Sequence, residues 1–294
     1  MARNLIKVGH ELAVYNRTRD RAEAFRSLGA RVTATPSEAV HEAEVLITML
    51  SDDRAVEDIV YSPHHVLQTL PGHSVHLSMS TISVALSRRL AEDHDRKGQS
   101  YVAAPVMGRP DAAAAARLFV VAAGPGKDIE RCQPLFEAMG QKTFRAGEAA
   151  PAANVFKLCA NFLITTVIEG LAEASSLVRK SDLDPALFLD FLTNSLFSAP
   201  IYQTYGRMIA SDDFEPVGFR LPLGLKDNRL LLEAAEGASV PMPMASLVRD
   251  RFLTALAQGM SEADWSAIAR VAQRDAGLDL DQAEGSPSRS AKSD

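Results

Sequence analysis

The chain has only two cysteines in 294 residues. It has no excess of positive charge, no metal-ligand spacing among its histidines, and no strand or glycine-rich turn ahead of its first helix-like run. Each absence excludes something. Cys132 and Cys159 stand in separate apolar helical stretches, so no disulfide framework is expected, and both read as small buried hydrophobes in a reducing cytoplasm. A formal charge of −6 supplies no global field for nucleic acid or anionic lipid, so any phosphate must be met by a local group. The longest apolar stretch, "LCANFLITTVI", is bounded by Lys157 and Glu169 and falls short of the roughly 20 residues that span a bilayer. The start lacks the lysine-led apolar segment of a secretory leader. A soluble, cytoplasmic protein is expected, without a membrane or nucleic-acid partner. His10, His41, His64, His65, His73, His76 and His94 suggest no metal site, and His64–His65 read as a surface turn after Pro63.

What is present begins abruptly. "MARNLIKVGHELAVYNRTRD" is a helix-like run, a glycine stop, an apolar strand and a polar turn. That helix looks like one that should be leaving a strand and a glycine-rich turn. From residue 1 to about 150, the short strand-like runs "ELAVY", "EVLITML", "SVHLS", "LFVVAA" and "KTFRA" alternate with amphipathic helical runs. The alternation predicts a doubly wound, mostly parallel α/β sheet with helices on both faces. Gly9, Gly29 and Gly140 each stand where a helix ends and a strand begins, where a left-handed residue is favoured.

Beyond residue 150 the strand runs vanish. Residues 152–180, without proline, predict a helix of roughly 40 Å. Its first half is apolar nearly all round, which implies burial on several sides, by its own domain or by a partner subunit. Further helices are predicted at "DPALFLDFLTN", "LPLGLKDNRLLLEAAEGA", "MASLVRDRFLTALAQG" and "EADWSAIARVAQ". The expected organisation is an α/β domain over 1–150, an all-α domain over 151–278 and a disordered polar tail over 279–294.

Several residues carry candidate chemistry. Lys157 and Asn161 are four apart and share a helical face, with Asn154 and Thr165 extending the polar line among apolar neighbours. A lysine there loses hydration, which lowers its proton affinity toward the range of a general acid; the alternative is a snorkelling lysine and an asparagine bonded to another helix. After the strand "ELAVY", the tip "YNRTRD" presents Asn16, Arg17 and Thr18 and no carboxylate before Asp20. That favours an adenosine 2′-phosphate over a free 2′-hydroxyl, hence NADPH over NAD, if the turn binds a dinucleotide. Otherwise Thr18 caps a helix and the arginines are solvated. "SMSTIS" sets Ser80, Thr81 and Ser83 at a strand end that opens a helix, either to hold a carboxylate or cofactor amide or simply to cap. Gly108 and Arg109 lie in the loop "APVMGRPD", where Arg109 either clamps a substrate carboxylate or is solvated. Lys226 and Asp227 form a helical charge pair, which is commonly a solvated face.

In this order the segments "MARNLIKVGH", "VYNRT", "MLSDD", "STISV", "APVMGR", "KLCAN" and "LGLKD" resemble the β-hydroxyacid dehydrogenase family. It includes 3-hydroxyisobutyrate dehydrogenases, tartronate semialdehyde reductases and glyoxylate/succinic semialdehyde reductases, with imine reductases as relatives. The resemblance runs from residue 1 to about residue 275. It implies a nicotinamide-binding Rossmann domain of the 6-phosphogluconate dehydrogenase-like kind, joined by the long helix to an all-α domain that often dimerises, with the active site in the cleft between them. It implies Lys157 as catalytic lysine with Asn161 as its partner. Thr81 and its neighbour Ser80 would lie near nicotinamide and substrate, Arg17 and Thr18 near the 2′-phosphate, and Met49 and Leu50 along the adenosine and pyrophosphate side. Phe219, Lys226 and Asp227 would approach from the helical domain. The resemblance further implies hydride transfer between nicotinamide and a small aldehyde, keto acid or β-hydroxyacid, in a homodimer or homotetramer. Because imine reductases usually replace the lysine, its presence favours a carbonyl or alcohol substrate.

Two departures stand out. Where the family has "APVSGG" this chain has "APVMGR", so Met107 replaces a serine that commonly meets a substrate carboxylate, and Arg109 replaces a glycine. Met1 aligns with the methionine of the family's "GxxMAxNL", so the first strand and its glycine turn are absent. The expectation is a gap between strand edges and a start codon set too far downstream, with roughly 15–20 residues missing, the length of a strand and its turn. The competing expectations are a catalytically silent scaffold that works through dimerisation, and an imine reductase-like enzyme.

Overall fold

The computed structural model describes residues 1–62 and 66–278. His64, His65 and the tail expected over 279–294 lie outside the described residues. The chain divides into two compact units, one made of Met1–Asn161 with Lys226–Pro241, the other of Phe162–Leu225 with Met242 onward. The division falls inside two helices.

The first unit contains, in order, α1 (Ala2–Lys7), β1 (Ala13–Val14), α2 (Arg19–Glu23), β2 (Arg31–Val32), α3 (Pro36–Val40), β3 (Val45–Thr48), α4 (Asp53–Tyr61), α5 (Val66–Thr69) and β4 (Val75–Ser78). It continues with α6 (Val84–Asp95), β5 (Ser100–Ala103), β6 (Val106–Met107), α7 (Pro110–Ala114), β7 (Leu118–Ala123), α8 (Gly126–Met139) and β8 (Gly140–Gly147). It ends with the start of α9 (Pro151–Lys180) and takes in most of α12 (Leu221–Gly237). Strands β3, β4 and β5 pair in parallel, β7 runs antiparallel to β5 and β6, and β8 pairs in parallel with β7.

Successive side chains of β5 and β7 leave opposite faces and so enter two different cores. Val75, Leu77, Val102, Val120 and Ala122 pack with Ile129, Cys132, Phe136 and Met139 of α8. Tyr101, Ala103, Val121 and Ala123 pack with Val56 and Val60 of α4, Leu86 and Leu90 of α6, and Ala153 of α9. Both faces are covered, as a parallel sheet requires. The short pair β1–β2 forms a separate two-stranded sheet. Among the described residues β1 pairs only with β2, and β3 only with β4, so the sheet is interrupted between β1 and β3.

Three strands differ from the sequence reading. β2 and β6 are two residues long, and β5 carries a single β-branched residue before Ala103–Ala104–Pro105; none shows enough period-two pattern to stand out. Gly9 and Gly29 do adopt positive φ, 95° and 92°. Gly140 does not: its φ is −140°, and it is glycine because a Cβ would lie 2.5 Å from the Leu118 carbonyl oxygen. Helix α8 thus passes into β8 without a loop by letting two backbones touch.

A buried polar seam ties β3, β4 and α6 together. Thr48 Oγ1 lies 2.9 Å from His76 Nε2, His76 Nδ1 2.8 Å from His94 Nε2, and His94 Nδ1 2.6 Å from Gln99 Oε1. Gln99 Nε2 donates to the Leu67 and Leu70 carbonyls. Carbonyls only accept, so Gln99 must offer its oxygen to His94, and every proton along the seam is then assigned: Thr48 donates to His76, His76 to His94, His94 to Gln99. Burial holds both imidazoles neutral, pushing His94 down to about 4 and His76 well below the ordinary histidine range.

The second unit is all helical, as the absence of strand runs predicts. It holds the remainder of α9, then α10 (Pro185–Thr193), α11 (Pro200–Ser211), the start of α12 (Leu221–Gly237), α13 (Pro243–Ala257) and α14 (Ala269–Asp275). Its core gathers Ile168, Leu171, Ile209, Leu225, Val248, Phe252 and Trp265. Helix α11, not foreseen from sequence, opens on Pro200, a residue suited to the first helical position.

By length and composition α9 could cross a membrane: an 18-residue window has mean hydropathy 1.5. The apolar-stretch argument misses this because it stops at Lys157. What marks α9 as a core helix is the burial of Asn154, Lys157, Asn161 and Glu169 along it. Of the burial on several sides expected from its own domain or a partner subunit, the chain itself supplies part: Val155, Phe156, Cys159 and Leu163 are exposed. Cys132 is buried, as expected, and Cys159 is not.

Candidate active site

Helix α9 sets Lys157 and Asn161 one turn apart, and both are buried, Lys157 to 9% exposure. Lys157 Nζ donates to Asn161 Oδ1 at 3.1 Å. Asn161 Nδ2 donates to Asp227 Oδ2 at 2.6 Å, which fixes the amide so that only its oxygen faces the lysine. Asp227, on α12, is 3% exposed. Its other oxygen pairs with Lys226 Nζ at 2.8 Å, and Lys226 Nζ donates to the Thr81 carbonyl at 2.6 Å. A continuous chain thus links Lys157 through Asn161, Asp227 and Lys226 to the loop after β4.

The charge balance decides what the amine can do. Burial pushes the Lys157 ammonium down to about 8, against the attraction of Asp227 and with the help of nearby Lys226. An amine near 8 both gives and takes a proton close to neutrality. On its other side Nζ faces Met107 Sδ at 3.3 Å, so Met107, at the end of β6, shares the site. The rest of the expected polar line does not join: the Asn154 side-chain oxygen has no hydrogen-bond partner among the described residues, and Thr165 Oγ1 bonds back to the Phe162 carbonyl of its own helix.

The loops at the carboxyl ends of β3 and β4 are pinned to each other. Leu50 N–H donates to Ser80 Oγ at 2.8 Å, and Ser80 Oγ donates to the Thr48 carbonyl at 3.4 Å. Met49, beside them, is 56% exposed. Asp52 caps α4 through the Ala55 N–H, and Asp53 Oδ1 accepts from the Ser83 N–H, while Ser83 Oγ caps α6 by accepting from Leu86 N–H. The sequence reading missed Asp52 and Asp53, although two aspartates directly after a strand end are a helix-cap signal.

At the tip of β1, Asn16 Oδ1 accepts from the Thr18 N–H. Thr18 occupies the N-cap position of α2 but makes no side-chain cap bond. Arg19 and Arg26 both pair with Glu23, whereas exposed Arg17 makes no hydrogen bond or ion pair among the described residues. Gly108 and Arg109 follow Met107, with Arg109 at the N-cap position of α7. In the second unit Phe219 packs edge-on against Trp265 at 4.8 Å, and its N–H donates to Asp264.

These residues fit two ends of a nicotinamide dinucleotide. Exposed Arg17 at the β1 tip offers a cation to the ribose end, and the loops after β3 and β4 offer the exposed Met49 with Ser80 and Thr81. Among the described residues no glycine-rich turn joins a strand to α1, the kind of turn that meets a pyrophosphate.

Comparison with known proteins agrees. Residues 1–147 match the family model for the NAD binding domain of 6-phosphogluconate dehydrogenase, and residues 151–272 match that for the NAD-binding region of NADP-dependent 3-hydroxyisobutyrate dehydrogenase. An uncharacterized oxidoreductase of Bacillus subtilis, YfjR, is 40% identical over 268 residues, 91% of this chain and 93% of its own. The chain belongs to the β-hydroxyacid dehydrogenase family. Glyoxylate/succinic semialdehyde reductase 1 of Arabidopsis thaliana is 29% identical, covering 91% of this dehydrogenase and 92% of the reductase. The solved Mycobacterium tuberculosis 3-hydroxyisobutyrate dehydrogenase with L-serine superposes with a TM-score of 0.83 at 27% identity, over 92% and 93% of the two chains. This β-hydroxyacid dehydrogenase is therefore an NAD(P)-binding oxidoreductase, with a Rossmann-type unit and a helical one.

Proposed function

We propose that this dehydrogenase uses NADPH to interconvert a small aldehyde or keto acid and its hydroxy counterpart, with Lys157 as general acid and base. When bound, the nicotinamide supplies or receives the hydride. Lys157 holds the proton: as an ammonium it stabilises the alkoxide charge that develops in reduction and gives that oxygen its proton, and as a neutral amine it takes the hydroxyl proton in oxidation. Asn161, oriented by Asp227, fixes the direction of the amine. Lys226 ties Asp227 to the Thr81 carbonyl, so the loop expected beside the nicotinamide and the proton donor move as one piece. Arg17, with Asn16 and Thr18, meets the 2′-phosphate; Met49 and Leu50 line the adenosine side; Ser80, Thr81, Gly108 and Arg109 contribute to the substrate side.

The observation that carries this reading is the buried Lys157 amine, lowered to about 8 and bonded to a single fixed amide oxygen. Lys157→Ala is expected to lose about two orders of magnitude or more in turnover of small aldehydes. Turnover near the parent's would remove Lys157 from the reaction.

A second reading, a silent scaffold, is favoured by the unpaired edges of β1 and β3. Titration of nucleotide fluorescence separates the two: the enzyme binds NADPH more tightly than NADH, and the scaffold binds neither. Either way a homodimer or homotetramer is proposed, because Leu177, Leu183, Leu187 and Phe191 are all exposed on the α9–α10 region of the helical unit. Two cysteines without a disulfide suit a cytoplasmic location.

A further inference from the structure

Lys157 has a limited number of proton directions, and two are already taken. An ammonium carries three N–H bonds. One points to Asn161 Oδ1 and one to Met107 Sδ, which leaves one for a substrate oxygen. From tetrahedral geometry at nitrogen and an ordinary hydrogen-bond length, that oxygen lies about 5 Å from the sulfur. Whatever is attached to the reacting carbon on that side meets the thioether.

The backbone sets the face from which Met107 leaves its strand. Its neighbour Val106 is buried in the sheet core opposite Val120, so Met107 leaves the other face of β6, opposite Phe119. The next residue, Gly108, has φ 141°, and a Cβ on it would lie 2.8 Å from Leu118 Cδ2. That positive φ is one that residues with a side chain rarely adopt, so Gly108 sets where β6 ends and how the chain leaves it.

A thioether accepts hydrogen bonds weakly and has none to give. A carboxylate placed against it would surrender water and receive no donor in return, whereas an alkyl group would gain contact with a polarisable atom. The nearby Lys226 ammonium is committed to Asp227 and the Thr81 carbonyl. We infer that Met107 is a specificity-determining residue that makes this site prefer carbonyl compounds with an uncharged apolar substituent over those bearing a carboxylate.

The inference rests on the Lys157-dependent carbonyl chemistry proposed above, and the test separates the two. Butanal and 4-oxobutanoate have the same chain length and differ by the terminal carboxylate. With NADPH as reductant, the parent enzyme is expected to favour butanal in kcat/KM by about 10-fold, the scale of one polar group left unpaired on burial. Met107→Leu keeps the apolar bulk and is expected to preserve that order. Met107→Ser supplies a hydroxyl donor and is expected to narrow or reverse it. A parent enzyme that prefers 4-oxobutanoate, or a ratio unmoved by Met107→Ser, overturns the role of Met107 while leaving Lys157 in place. If neither aldehyde is reduced, or reduction survives Lys157→Ala, the underlying reading fails and takes this inference with it.

Discussion

Lys157 and His94 are both buried bases in the same unit, and their surroundings make opposite uses of burial. The lysine keeps an N–H direction free, stands among charges of both signs, and is brought to about 8, where it can exchange a proton. The histidine is closed at both nitrogens by neutral partners and is driven to about 4, where at neutral pH it exchanges nothing. Burial alone therefore does not make a reactive group. What separates the two is whether the hydrogen-bond network leaves a position open and a compensating charge in reach.

The comparison breaks most visibly at Lys157. Lys157→Met should remove at least about 100-fold of turnover and yet raise stability. The folded-state value of about 8 lies below the unfolded 10.5, so the unfolded chain binds this proton more tightly, and burial of the charge costs up to about 3 kcal/mol below pH 8. That cost fades as pH rises from 8 toward 10.5, so the gain from Lys157→Met should shrink over the same window in denaturant titrations. An equal loss of activity and stability would make Lys157 a structural lysine.

The histidine seam should respond on the acid side. His94 falls from 6.5 to about 4 on folding, so its neutral form stabilises the protein fully above pH 6.5. About 3 kcal/mol is lost as pH falls from 6.5 toward 4, because the unfolded chain takes up the proton first. His94→Gln should flatten that part of the stability profile, and an unchanged slope would show that the seam does not govern it. The smallest effect is expected at the seam's end: Thr48→Val keeps the shape and deletes the donor to His76, which should cost about 1 kcal/mol with little change in the pH window. A stability change within error would mean that His76 finds another donor.

The sequence shows one of these two networks and hides the other. Lys157 and Asn161 are visible because a four-residue step on a helix is a spatial statement. Asp227, which orients Asn161, is 66 positions away; only the family resemblance brings it to the site, since a lysine–aspartate pair on a leucine-rich helix otherwise reads as solvated. His76 and His94 are 18 positions apart on a strand and a helix, and a search for metal-ligand spacing passes over two rings bonded to each other. The long strands β3, β4 and β7 were legible from their apolar runs, and the helical second unit from the loss of such runs. Strands β2, β5 and β6 were not, because their pairing partners, rather than their own residues, make them strands. Cys159 looked like core because apolar neighbours surround it in sequence; on the helix it falls on the exposed side with Val155 and Leu163.

The seam from Thr48 to Gln99 has a direction: each member gives its hydrogen to the next, and the last gives to two main-chain oxygens. No link can reverse alone, since a turned ring would set hydrogen against hydrogen or lone pair against lone pair. A proton entering between the rings has the same result, placing N–H groups nose to nose across 2.8 Å. The strand pair and the helix it fastens are therefore released together or not at all, and acid should find this half of the molecule brittle rather than soft.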